Sequence, residues 1–420
     1  MYIDPGTGSM LFTILLGTLT AGSYAFKNQM VKARFYLSGG RGQKDVGEHP
    51  DYAIFSDSKR YWNVFEPICD EFESREKQIV YMTASPDDPA LDKDYKFVKC
   101  EFIGEGNKAY ARLNQLKADI VVSTTPSLDV FYWKRSKGVK WYVHIPHASN
   151  DLLFYRMFGI DYYDAILTSG DYQERQLREL ETLRGLPQKE IQKTGLTYMD
   201  AMKERLDKQS KDKKNTKDDV VVLLAPTWGP SSLFNKYGDE LIDKLIETGY
   251  HIIIRPHPQS YTSEAELIDR LKTKYPETDY LEWNSDNDNF DVLSRTDVVV
   301  SDFSGIIFDF SLVFDKPFIY VDTEFDSSPY DACWLDETPW LFSTLKKIGT
   351  ELTAENLSNV KELIDNSLDN EGLRKAREEA RNETWAFKGE AAKRTVDYLL
   401  NKHDELDDAA NDVKDKENIA

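Results

Sequence analysis

Cysteine is scarce. Cys69, Cys100 and Cys333 are the only three in 420 residues, and no two stand in CxxC spacing. Neither a zinc site nor a disulfide framework follows, and reduced, cytosolic surroundings fit best. Basic charge is also short: 53 Lys and Arg stand against 73 Asp and Glu, for a net charge of -20. A nucleic-acid binder draws its affinity largely from a basic surface, so that class is excluded. The GxxxxGK[ST] phosphate loop, GxSxG and HExxH are all missing. Gly39-Gly40-Arg41-Gly42 does not lie between a strand and a helix and lacks dinucleotide spacing. What is present, 40% hydrophobic and 30% charged residues over a length that suits two domains, describes a globular body.

The N-terminus departs from that composition. Residues 10–26 carry no charge. At about 1.5 Å per residue they barely cross a bilayer core of about 30 Å. Asp4 is the one charged side chain before them, whereas Lys27, Lys32, Arg34, Arg41 and Lys44 follow. By the positive-inside bias the rest of the chain faces the cytoplasm. A cleaved signal peptide would place its positive charges first. The expectation is a membrane anchor over 1–30, the alternative being a short amphipathic or buried helix. Glycines and Pro50 make 31–50 a linker.

From residue 51 strands and helices alternate. Strand patterns fall at 52–56, 78–83, 97–102, 120–124, 141–145, 165–169 and 191–194, with helical patterns such as 59–74, 107–116 and 172–183 between them. This is a doubly wound α/β pattern. Residues 210–219 contain no apolar side chain and form a boundary. The pattern then restarts, with strands at 220–225, 251–255, 278–282, 298–301 and 318–321 and an amphipathic helix at 233–247. The domains are thus 51–209 and 220–385. A helix at 386–403 packs back across the first domain, and an acidic tail over 404–420 is expected to be disordered.

In open α/β sheets ligands bind beyond the carboxyl ends of the strands. Several such ends carry chemistry. Val298-Val299-Val300 reads as a buried strand that stops at Ser301-Asp302-Phe303-Ser304-Gly305, after which helical spacing begins. Hydroxyls and amides at a strand-to-helix junction suit a phosphate, and Gly305 allows close approach. A plain helix cap is the competing reading. Thr227, Ser231 and Ser232 follow another strand and would reach phosphate oxygens, with Trp228 packing on a base or sealing the site, or the stretch merely caps a turn. Arg255-Pro256-His257-Pro258 holds a planar phosphate donor and an imidazole on a backbone stiffened by two prolines. The competing reading there is a structural ion pair. Asp286-Asn287-Asp288-Asn289 lacks the glycine and closing glutamate of a calcium loop and reads as a loop bordering that site. His147, just past the strand at 141–145, can take a proton from a hydroxyl at neutral pH; His144 ranks below it.

Taken together, Ala225-Pro226-Thr227-Trp228, Arg255-Pro256-His257-Pro258 and Ser301-Asp302-Phe303-Ser304-Gly305 with Phe308-Asp309 resemble the CDP-glycerol glycerophosphotransferase family, whose members build or prime teichoic-acid-like polymers. The resemblance runs over roughly residues 140–400. It implies a GT-B-like fold, two Rossmann-like domains with a central cleft, here preceded by the membrane helix. It implies transfer of an alditol phosphate from a CDP-linked donor, with CMP leaving. Thr227, Trp228, Ser231, Arg255, His257, Ser301, Asp302, Ser304 and Gly305 would then bind the donor. His147 would match the family's first-domain histidine, the base, with His257 the second catalytic residue. The family has His-Gly-Thr where this chain has His147-Ala148-Ser149, and often Arg where it has Gly229.

The reading is a membrane-anchored, cytosol-facing transferase acting on a lipid-linked or glycan acceptor, without metal or organic cofactor. Its rivals are a GT-B glycosyltransferase using a nucleotide sugar and a non-catalytic, membrane-tethered assembly protein.

Overall fold

The computed structural model describes Met30 and residues 49–210, 220–286, 288–321 and 325–419. The expected anchor, most of the glycine-rich linker and most of the polar boundary at 210–219 lie outside these residues. No helix among the described residues is long and apolar enough to cross a membrane. The chain forms two compact units. One runs up to Ile145 and includes Tyr162–Ala165 and the chain from Val396 onward; the other comprises Pro146–Asp161 and Ile166–Thr395.

The first sheet has the strand order β3-β2-β1-β4-β5-β6-β7. Its strands are β1 (Tyr52–Ser56), β2 (Ile79–Thr83), β3 (Val98–Phe102), β4 (Lys117–Ser123), β5 (Gly138–His144), β6 (Ala165–Thr168) and β7 (Glu190–Lys193). Pairing is parallel between β1 and β2, β1 and β4, β2 and β3, and β4 and β5. β1 and β2 are buried on both faces, as a parallel sheet covered by helices requires. The helix Trp62–Ser74 buries Val64, Phe65, Ile68, Cys69 and Phe72, a stripe at helical spacing.

The C-terminal helix runs Ala391–Ile419, so 404–419 is helical, not the disordered tail that its acidity suggested. The reason is anchorage. Val396 and Leu399 are buried in the first unit, Asp397 pairs with Arg75 at 2.6 Å, and His403 pairs with Asp119 at 3.1 Å. A docked helix propagates cheaply through Ala, Glu and Lys.

The second unit holds a sheet ordered β10-β9-β8-β11-β12-β13. Its strands are β8 (Val221–Leu224), β9 (His251–Ile254), β10 (Leu281–Trp283), β11 (Val298–Ser301), β12 (Phe318–Val321) and β13 (Thr350–Leu352). All its pairs are parallel. Val222, Leu224, Ile252, Ile254, Val298 and Val300 form its core with Leu241, Ile242 and Leu245. The helix expected over 233–247 is two, Leu233–Lys236 and Gly238–Glu247, parted where Gly238 takes φ +41°. β13 had no signal in the sequence, because a three-residue Thr-Glu-Leu edge strand has no apolar run. Read from β8, the order is 3-2-1-4-5-6, and it reverses between β8 and β11. That switch point is where such sheets bind ligands.

Candidate active site

The loops leaving β8 and β11 flank the switch point, and one side chain ties them together. Asp302, fully buried, accepts the Thr227 N–H at 2.9 and 3.1 Å on its two oxygens and the Leu233 N–H at 2.9 Å. The Ser304 N–H also donates to it. Burial pushes its pKa up to about 6 against these hydrogen bonds. Ser301 is buried beside it and donates to the Ala225 carbonyl. Asp302 and Ser301 therefore build the site's frame. The hydroxyls of Thr227, Ser231 and Ser304 are half-buried and meet no hydrogen-bond partner among the described residues. Gly229, at φ +92°, turns the β8 loop and donates its N–H to Glu264 at 3.2 Å.

Two further residues come from the loop after β9. Arg255 is buried, and its guanidinium is spoken for: Nη1 donates to Asn284, and Nη2 donates to the Asp286 carbonyl and to Asn289, each at 2.7 Å. Burial pulls its pKa down from the ordinary value. It stays cationic at neutral pH and holds the loop around Asp286 in place. His257 accepts the Gln259 N–H on Nδ1 at 3.1 Å. In the neutral ring the proton then sits on Nε2, which is a donor suited to a phosphate oxygen. Trp228, 45% exposed, tilts against His257 with ring centroids 6.5 Å apart.

The loop after β5 belongs to this second unit from Pro146 on. His147 retains some exposed surface, yet the packing around its ring pushes the pKa down to about 4. It is neutral at physiological pH, and Tyr155 Oη lies 3.4 Å from its Nδ1. Asn150 lies against Gly305: a Cβ added there would stand 3.3 Å from the Asn150 amide nitrogen. Asp151 caps the helix Trp340–Ile348, accepting from the Trp340 and Leu341 N–H groups at 2.8 Å each. Tyr198 accepts the Ser149 N–H at 3.0 Å and donates to Asp309, whose carboxyl burial raises to about 7.

The structure thus connects the predicted residues in a chain of contacts. Asp302 joins the β8 and β11 loops, Trp228 reaches His257, and Asn150 brings the His147 loop to Gly305. His144 is fully buried against Tyr163 in the first unit, with centroids 5.0 Å apart. Asn150, Tyr155, Tyr198 and Asp309 were not singled out for the site from the sequence. Only Asp309 had a signal there, as part of the Phe308-Asp309 pair. Among the described residues one grouping has ligand atoms close enough for a metal: Asp51, Asp119 and His403, within 4.8 Å. It lies in the first unit at the amino ends of β1 and β4, and Lys140 already pairs with Asp119 at 2.9 Å.

Two parallel α/β sheets, the second with its strand order reversing between β8 and β11, are the architecture of a GT-B-like fold. Residues 161–401 match the family described as CDP-glycerol:poly(glycerophosphate) glycerophosphotransferase, and the chain belongs to that family. Compared by sequence with curated proteins, it matches none. Among solved structures it is similar to the wall teichoic acid polymerase TagF: 16% identity, TM-score 0.55, covering 85% of this chain and 90% of that one. It is also similar to the UDP-GlcNAc 2-epimerase of Methanocaldococcus jannaschii in complex with UDP-GlcNAc and UDP (13%, TM-score 0.54, covering 83% and 99%). The S. aureus MnaA–UDP structure is a third (16%, TM-score 0.54, covering 83% and 96%). At such identities these likenesses concern the fold.

Proposed function

We propose that this chain transfers glycerol phosphate, or another alditol phosphate, from a CDP-linked donor to a hydroxyl of a lipid-linked or glycan acceptor, releasing CMP. The observation that carries this is the joined set of loops around Asp302 and Gly305, which offers His257, three hydroxyls and backbone amides at one switch point. A TagF variant with one histidine replaced was soaked with CDPG, which supports a CDP-linked donor here. The acceptor hydroxyl gives its proton to neutral His147, and its oxygen attacks the β-phosphorus. The bond from that phosphorus to the bridging oxygen breaks, and CMP leaves with the electron pair. His257 Nε2–H, the Ser304 and Thr227 hydroxyls and the Gly305 backbone offset phosphate charge by position and electrostatics. Arg255 contributes positive potential while holding its own loop. The uncharged run at 10–26 and the basic residues after it support anchoring at the cytoplasmic face of a membrane.

The test is CMP release from CDP-glycerol in the presence of acceptor. His257→Ala is expected to lower kcat about 100-fold or more with the fold intact; activity near wild type would sink the assignment. The fold shared with an epimerase in complex with UDP-GlcNAc and UDP keeps a nucleotide-sugar alternative as the second reading, which would release UDP instead.

A further inference from the structure

Asp309, which opens the turn after the Gly305 helix, is a half-buried acid, desolvated by the packing around it, with no role in the chemistry above. We propose that Asp309 is a positioning residue: through Tyr198 and the Ser149 amide it fixes the loop that presents His147 and couples it to the turn beginning at Gly305. This rests on the functional reading above.

Tyr198 is buried and has one proton. Its oxygen accepts the Ser149 N–H at 3.0 Å, so its own O–H goes to Asp309. Ser149 stands two residues beyond His147. Its carbonyl accepts from Tyr172 Oη at 2.7 Å and Thr384 Oγ1 at 3.2 Å, so the peptide is held on both sides. The next residue, Asn150, meets Gly305. Asp309 also begins a π-helical turn, Asp309–Val313, a widened geometry that recurs at functional sites.

The direction of this relay requires ionised Asp309, since a protonated carboxyl would compete as donor toward Tyr198. Yet burial holds its pKa up to about 7, with Tyr198 the hydrogen bond that opposes the shift. From the helix Thr197–Ser210, Tyr198 faces it. From the helix Glu371–Thr384, Arg377 and Arg381 reach the same turn, but they engage Asp315 and the Leu312 carbonyl. A folded pKa above the unfolded one means the ionised form costs stability, a cost that builds up as pH rises from 3.8 to about 7 and stays constant above that.

The experiment compares Asp309→Leu and Asp309→Asn with wild type in the full chain. Leu removes the acceptor. It is expected to lower kcat about tenfold or more with KM for CDP-glycerol within about twofold, and to speed hydrogen exchange of the Ser149 amide about tenfold. Asn keeps an acceptor oxygen. It is expected to retain most of kcat, to abolish the loss of kcat that wild type shows as pH falls through about 7, and to melt no lower than wild type at pH 8. Wild-type kcat or unchanged Ser149 exchange in the Leu variant overturns the proposal, as does an Asn variant that keeps the pH limb. If wild type itself does not turn over CDP-glycerol, the functional reading falls, and the exchange rate of Ser149 alone decides the coupling.

Discussion

His147 offers a prediction whose size follows from its surroundings. The ring is held neutral by burial, with a folded pKa of about 4 against the ordinary 6.5. The unfolded chain therefore takes up a proton as pH falls below 6.5, and the folded chain does so only near 4. Because the folded pKa is depressed for a base, stability is full above about 6.5 and is lost as pH falls toward 4. At pH 5 the linkage term is RT times the logarithm of the ratio of the two binding polynomials, which comes to about 2 kcal/mol. Other groups titrate in the same window, but they cancel in a comparison with His147→Gln. Urea midpoints of the second unit's transition, measured for both proteins at pH 8 and pH 5, isolate the effect. Wild type is expected to lose about 2 kcal/mol more than His147→Gln over that interval. Equal losses would refute a buried, neutral imidazole, and with it the reading of His147 as a base ready at every physiological pH. The same shift predicts no limb near 6.5 in the activity profile that belongs to His147.

Two further outcomes concern the frame of the site. Asp302→Ala strips the acceptor from the Thr227, Leu233 and Ser304 N–H groups. At about 1–3 kcal/mol per unsatisfied buried donor, less hydration and the relieved buried charge, the net loss is about 2–4 kcal/mol. Stability unchanged within about 0.5 kcal/mol by urea titration would mean that Asp302 does not hold the two loops. Arg255→Lys keeps the charge but cannot span Asn284, Asp286 and Asn289 with one ammonium. KM for CDP-glycerol is expected to rise about tenfold while the midpoint falls only slightly, and an unchanged KM would remove Arg255 from the site.

The apolar runs alone determined the fold class. Val298-Val299-Val300 and Ile252-Ile253-Ile254 are buried on both faces, and a continuous β-branched run has no other comfortable place than the middle of a parallel sheet. The loops were legible for a similar reason. Ser301-Asp302-Phe303-Ser304-Gly305 and Arg255-Pro256-His257-Pro258 end strands, and strand ends of such sheets are where chemistry gathers. What those residues do there was decided by packing. Asp302 and Ser301, expected on the ligand, spend their hydrogen bonds on the Thr227 and Leu233 amides and the Ala225 carbonyl. Arg255 spends its own on the loop at 284–289. Periodicity says that a polar side chain sits at a strand end, but not which neighbour it finds first. The grouping of His147, Asn150, Tyr198 and Asp309 lay further from view, because 51 residues part His147 from Tyr198 and another 111 part Tyr198 from Asp309 in the sequence. Only the path of the folded chain brings the Ser149 amide, one phenol and one carboxyl into line, and burial there, invisible in residue identity, moves the pKa values of His147 and Asp309 in opposite directions.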